Sequence, residues 1–202
     1  MFPTRTALAI VVGLLVILVA VLGFLAWRFT QPSPTVPLTP QVRSFMTITS
    51  PSFKNDETVP SNYTCDGVNV NPELHVADVP PGTKSLALIV DDPDAPASPK
   101  TASRGGPGST WTHWTLWNID PATTVIPESG KPPQAMEGRT SFGTSGYGGP
   151  CPPAGKPHHY HFKLFALDVM LDLPAGADVH ALETAIDGHL ISTAELIGLY
   201  SR

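Results

Sequence analysis

Charged residues are scarce in this chain. Lys, Arg, Asp and Glu make up 14% of its 202 residues, against roughly 25% in ordinary soluble domains. Positive charge is scarcer still: 12 Lys and Arg stand against 17 Asp and Glu, for a formal net charge of −5. No basic face for a phosphate backbone follows from that balance, so nucleic acid is not an expected partner. Cysteine is limited to Cys65 and Cys151. Neither belongs to a C-x-x-C pair, which argues against a structural zinc site. The two can be unrelated buried thiols or one disulfide. A pair would close a long loop, contributing about 4–5 kcal/mol of chain entropy before strain. A nucleophile elbow of the G-x-S-x-G type is missing, since Gly143-Thr144-Ser145-Gly146 does not fit it. No internal repeat is visible.

Charge is absent altogether between Arg5 and Arg28. The run from Thr6 to Trp27 is almost all Ala, Val, Leu, Ile, Gly and Phe. As a helix at about 1.5 Å per residue it spans about 33 Å, enough for a bilayer core. It has no polar face, which argues against a buried helix of a globular domain. Its end, Phe24-Leu25-Ala26-Trp27-Arg28-Phe29, has the aromatic and basic character of an interfacial anchor. A cleaved signal peptide usually has a shorter apolar centre and a small-residue cleavage site. Residues 1–29 therefore read as a retained single-pass anchor in preference to a signal peptide. The flanking charges lean the N-terminus inward. The remainder is then extracytoplasmic, where a disulfide is chemically permitted. Residues 30–43 carry Pro32, Pro34, Pro37 and Pro40 among Gln, Ser and Thr, and read as an extended linker. The folded domain is expected over 44–202.

Proline is plentiful, at 23 residues, so loops and edge strands are expected. Candidate strands are Phe45 to Thr49, Ser85 to Val90, Thr112 to Asn118 and Tyr160 to Leu167. Alternation puts Thr112, Trp114 and Leu116 on one face, with His113, Thr115 and Trp117 on the other. After Pro174 the period changes. Leu182, Ala185, Ile186 and His189 fit a helical face behind Asp178 as a cap, and Ile191 to Tyr200 fits a second short helix. Strands followed by helices suggest an antiparallel sheet with terminal helices.

Four groups carry chemistry. The loop Asp91-Asp92-Pro93-Asp94-Ala95-Pro96 leaves a buried strand, and is either a site wall or a polar turn. Buried carboxylates need partners, and proline stiffens the backbone that holds them. Trp111-Thr112-His113-Trp114 holds a histidine that suits either a core or a site. The run Gly143 to Pro153 can bring backbone N–H groups to an anion, or can be a plain loop. His158-His159-Tyr160-His161 can donate to phosphate oxygens or sit on the surface. No local spacing fixes a second histidine ligand, so neither a metal nor another cofactor is expected. Asn62-Tyr63-Thr64 is a glycosylation sequon, relevant only to a eukaryotic secretory pathway.

Several motifs occur in one order: Tyr63-Thr64-Cys65-Asp66-Gly67, Asn71-Pro72, Val79 to Ser85, Asp92-Pro93-Asp94-Ala95-Pro96, His113-Trp114, Gly146 to Pro153, and His158-His159-Tyr160. The series, over roughly residues 44–202, resembles the phosphatidylethanolamine-binding protein family on its prokaryotic Raf-kinase-inhibitor-like branch. The resemblance implies a mainly β, two-sheet antiparallel, Greek-key-like fold with short C-terminal α-helices. It also implies an anion pocket for phosphate-bearing small molecules, phospholipid head groups or phosphorylated partners. By motif, Asp92, His113, His158 and Tyr160 form that pocket, with Trp111, Gly148 and Pro150 at its rim. Where the family often has Arg between histidine and tyrosine, this chain has His159, which alternation points away from the pocket. Cys65 and Cys151 both fall in motifs near the pocket mouth, and the resemblance implies that they pair. A non-enzymatic, membrane-tethered binding domain is the leading expectation. The alternatives are an inhibitor or scaffold acting on a protease or kinase through its surface, and, behind that, a hydrolase.

Overall fold

The computed structural model describes residues 21, 22, 24, 45–95 and 110–202. The chain divides into two units, Met1–Arg43 and Ser44–Arg202. Of the expected anchor, only Val21, Leu22 and Phe24 are described, each helical and exposed. The rest of residues 1–29, the linker 30–43 and Pro96 lie outside the described residues. No helix among the described residues is long and apolar enough to cross a membrane.

In the second unit the elements run β1 (Thr47–Thr49), β2 (Glu57–Thr58), β3 (Leu74–Ala77), β4 (Ser85–Asp92), β5 (Trp111–Ile119), β6 (Val125–Ile126), β7 (Met136–Glu137), β8 (His158–Leu167), α1 (Val179–Ile186) and β9 (Leu190–Tyr200). The strands make a three-stranded sheet, β1-β3-β6, and a six-stranded sheet, β2-β9-β8-β4-β5-β7. Pairing is antiparallel except between β2 and β9, which run parallel and correct the expectation of a wholly antiparallel fold.

Strand β4 is buried at every position because both its faces are covered. Leu86, Leu88 and Val90 face the small sheet and share a core with Ile48, Leu74, Val76 and Ile126. Ala87 and Ile89 face the other way, onto Trp117, Leu167 and the α1 residues Leu182 and Ile186. An apolar run without alternation is what a doubly covered strand requires. Helix α1 begins as expected, with Asp178 Oδ1 accepting from the Ala181 amide at 3.0 Å.

The second expected helix is a strand. Leu190–Tyr200 is β9, paired with β8 from His158↔Tyr200 to Leu167↔Leu190. A short apolar run fits either period, and pairing along the whole of β8 decides for the strand. Only one helix therefore follows the strands up to β8.

The expected alternation in β5 also fails at one point. Val90 pairs with Trp114 but Asp91 with Thr112, so β5 advances two residues while β4 advances one. His113 is the extra residue of a β-bulge, which bends the strand and re-aims a side chain. It lies with Trp114 on the Tyr160 side of the sheet instead of opposite it.

Candidate functional site

The carboxylates end β4 on opposite faces. Asp91 is buried on the side of the sheet away from Tyr160, where its Oδ2 accepts from Lys163 Nζ at 2.7 Å. Asp92 faces the other way. Its Oδ2 accepts from His158 Nδ1 at 2.7 Å, and its Oδ1 accepts from the amides of Asp94 and Ala95 at 2.9 and 3.1 Å. Those amide bonds fold the acidic loop back onto its own first residue. Asp94 holds the far side, accepting from the His159 amide and Nδ1. The His159 hydrogen bond is the main reason that the Asp94 carboxyl is held below its ordinary range. His159 thus points away from His158, as alternation requires.

His158 and Tyr160, two apart on β8, share a face with their rings stacked, 6.5 Å between centroids. His113, brought round by the bulge, meets Tyr160 edge-on at 5.1 Å. His113 does not bond Asp92. Its Nδ1 lies 2.6 Å from the carbonyl oxygen of Gly148, and a carbonyl only accepts, so Nδ1 carries the proton. Burial lowers the His113 pKa, opposed in part by that bond and by the charges of Asp92 and Asp91. The Tyr160 hydroxyl is buried and makes no well-formed hydrogen bond among the described residues, although the Asp92 carboxylate and the Cys151 backbone lie close enough to act on it. Burial first, and the Asp92 charge next, raise its pKa, so it remains a neutral donor.

The Gly-rich run serves as scaffold. The Gly148 amide donates to the His113 carbonyl at 2.9 Å, and the Gly149 amide donates to Asn69 Oδ1 at 2.8 Å. Those two amides are therefore committed within the protein, which favours the plain-loop reading at Gly148 and Gly149. Gly149 is packed so closely that a Cβ would fall 2.3 Å from the Tyr63 carbonyl oxygen. Pro150 is buried, and its carbonyl accepts from the Cys65 amide at 3.0 Å. Beside that bond the disulfide Cys65–Cys151 joins the two loops, with Cα atoms 5.4 Å apart. Both cysteines are exposed.

Trp111 stands at the edge, half-buried, against a residue that motif reasoning passed over. Phe142 meets both Trp111 and His113 edge-on, at 5.4 and 5.5 Å. It is 47% exposed, and a Cβ on Gly148 would strike its ring. The signal for it was a single large aromatic among Ser, Gly and Thr in a loop. A shallow groove of about 420 Å³ exists at the opposite end of β4 and β5, lined by Lys84, Asn118, Asp120 and Met170. It shares no residue with the histidine cluster. No cluster suited to a metal ion occurs among the described residues.

Residues 49–201 match the profile of the family described as phosphatidylethanolamine-binding protein. The chain belongs to that family. Within it, the chain falls on the prokaryotic branch. It is 47% identical over 157 residues to a UPF0098 protein of Pyrococcus horikoshii, covering 74% of each chain. A crystal structure of a putative phosphatidylethanolamine-binding protein homologue from Chlamydia trachomatis is 39% identical, with a TM-score of 0.70 over 78% of this chain and 98% of that one. The structure of E. coli YbcL is 34% identical, with the same TM-score over 79% and 99%. The two-sheet architecture of this phosphatidylethanolamine-binding protein family member is therefore the architecture of its branch.

Proposed function

We propose that the domain binds phosphate-bearing small molecules, phospholipid head groups or phosphorylated partners at the cluster of Asp92, His113, His158 and Tyr160. The observation that carries this reading is the buried Tyr160 hydroxyl, without a well-formed hydrogen bond and set between two histidines beside Asp92. An unsatisfied buried hydroxyl costs about 1–3 kcal/mol, and a ligand oxygen accepting its hydrogen bond would remove that cost. In this reading Tyr160 donates to a phosphate oxygen. Asp92 orients His158 by accepting from its Nδ1, which turns Nε2 toward the ligand. His113 closes the other side. Trp111 and Phe142 form an aromatic rim. The role is binding rather than turnover, and no cofactor takes part.

Calorimetry of phosphoethanolamine with the full-length chain tests it. Saturable binding to the wild type, weakened about 10–100-fold in the double variant His113→Ala, His158→Ala, is the expected result. Equal binding by both proteins would sink the site assignment.

The apolar run before Arg28 supports a membrane tether, and the exposed disulfide suits an oxidising compartment. We place the domain on the extracytoplasmic side. Protease added to intact cells should then degrade it, and full protection until the membrane is breached would reverse the topology.

A further inference from the structure

The histidine cluster leaves one reactive bond of the domain unused. Cys65 and Cys151 are both exposed, yet each is carried on anchored backbone. Cys65 follows the buried Thr64, and Cys151 stands between the buried prolines Pro150 and Pro152. The Cys65 amide donates to the Pro150 carbonyl at 3.0 Å, which joins the two loops by backbone beside the sulfurs. A thiol in solvent can therefore meet the bond on folded protein. Exposed disulfides are the labile ones.

The two sulfurs are not equivalent. The Arg202 guanidinium reaches Cys151, with Nη1 3.9 Å from Sγ. Three contacts fix Arg202 there. Its Nε lies 3.2 Å from Asp66 Oδ1 in an ion pair, and Asp66 Oδ2 accepts from the Tyr200 hydroxyl at 2.7 Å. The Arg202 carbonyl accepts from the Gly155 amide at 3.2 Å. A cation thus sits against one sulfur, while a carboxylate residue, Asp66, follows the other in sequence. A guanidinium stabilises a thiolate, and the sulfur that leaves more readily as thiolate directs attack onto its partner. The ion pair with Arg202 offsets the Asp66 charge that an incoming thiolate would meet.

We propose that Cys65–Cys151 is a thiol–disulfide exchange site for small aliphatic thiols, at which Cys65 is attacked and Cys151 leaves. The incoming thiolate RS⁻ forms a bond to Cys65 Sγ. The Cys65–Cys151 bond breaks, and its electron pair departs on Cys151 Sγ, beside Arg202. The product is a mixed disulfide at Cys65. Cys151, held by its flanking prolines, reverses the step by attacking Cys65 and expelling RS⁻. A second RS⁻ instead attacks the outer sulfur of the adduct, releasing Cys65 as thiolate and carrying away RSSR. Cys65 is thereby a site of reversible S-thiolation, and Cys151 is its resolving residue. The exchange uses none of Asp92, His113, His158 or Tyr160, so it stands apart from the phosphate reading.

Reduced glutathione, added to the oxidised full-length chain at neutral pH, tests both parts. Samples are quenched with excess N-ethylmaleimide and their peptides mapped by mass. The glutathione adduct is expected on Cys65 and the maleimide on Cys151, in excess over the reverse pattern by about fivefold or more. A smaller excess, or an adduct mainly on Cys151, overturns the assignment of roles. The rate of disulfide loss should rise in proportion to glutathione. A rate independent of glutathione means that unfolding precedes attack, and overturns exchange on the folded protein. Arg202→Gln should slow the reaction by about threefold or more, with Arg202→Lys recovering most of the loss. A smaller effect of Arg202→Gln overturns the role given to the guanidinium.

Discussion

At His113 and His158 the same ring nitrogen, Nδ1, is engaged, but by partners of different character. Asp92 is a carboxylate, whereas the Gly148 carbonyl is neutral. This difference gives His113 a measurable effect on stability. Its folded pKa lies below the ordinary 6.5, chiefly through burial. As pH falls, the unfolded chain therefore takes up the proton first. The stabilisation is present above about 6.5 and is lost as pH drops from there toward the folded value, at up to about 1.4 kcal/mol per unit. Urea titrations between pH 7.5 and 5.5 in chloride buffer should show a steeper loss for wild type than for His113→Asn. Asp92→Asn tests the other histidine. Without the carboxylate the His158 ring loses the charged partner that fixes its orientation, and phosphoethanolamine affinity should fall about 10-fold or more by calorimetry. Asp92, His158 and Tyr160 were assigned through the family resemblance, and strand register accounts for their placement, one at a strand end and two at alternate positions. His113 was legible as a residue but not as a direction, because an extra residue in a strand leaves no mark in the hydrophobic pattern. Phe142 was invisible to motif reasoning, since its role depends on Gly148 lying beneath it.

Strands β4 and β8 could be read from their apolar content, and β9 could not. Its inward positions are Ala194, Leu196, Gly198 and Tyr200, with Leu196 and Gly198 buried, but two of the four are Ala and Gly, too small to mark a period of two in the sequence. The pairing partner that settles it begins at His158, far away in sequence, so no local window contains the deciding information. Gly198 shows how tight that pairing is. It stands opposite Tyr160, and a Cβ there would fall 2.4 Å from Val59 Cγ2 and 2.9 Å from a Phe53 ring carbon. Gly198→Ala should cost about 1–3 kcal/mol through overpacking, read as a lowered denaturation midpoint. A variant as stable as wild type would mean that Phe53 and Val59 yield freely.

For the molecule as a whole, the pairing of Cys65 with Cys151 bridges a sequence separation of 86 residues. The loops it joins are the ones that carry Pro150 and, two residues earlier, the Gly148 carbonyl that holds His113. Because the bond is exposed, a reductant reaches it without prior unfolding. Reduction should lower stability by about 2–5 kcal/mol, measured as a shift in the urea midpoint with and without dithiothreitol. An unchanged midpoint would show that core packing alone holds the loops. The pairing could not be derived from spacing, since two cysteines so far apart are equally consistent with free thiols. The family resemblance suggested it. The apolar N-terminal run remains readable only at the level of composition and length.

Asp91 and Asp92 are chemically identical neighbours with opposite surroundings, one beside a lysine and the other beside a histidine. Substituting either residue affects one side of the sheet. Inserting or deleting a single residue between Ser85 and Val90 would exchange them, sending the wrong carboxylate to each face and turning the apolar run with it. Length in this segment is therefore under tighter constraint than identity: interchange among Leu, Ile and Val should be tolerated where no indel is.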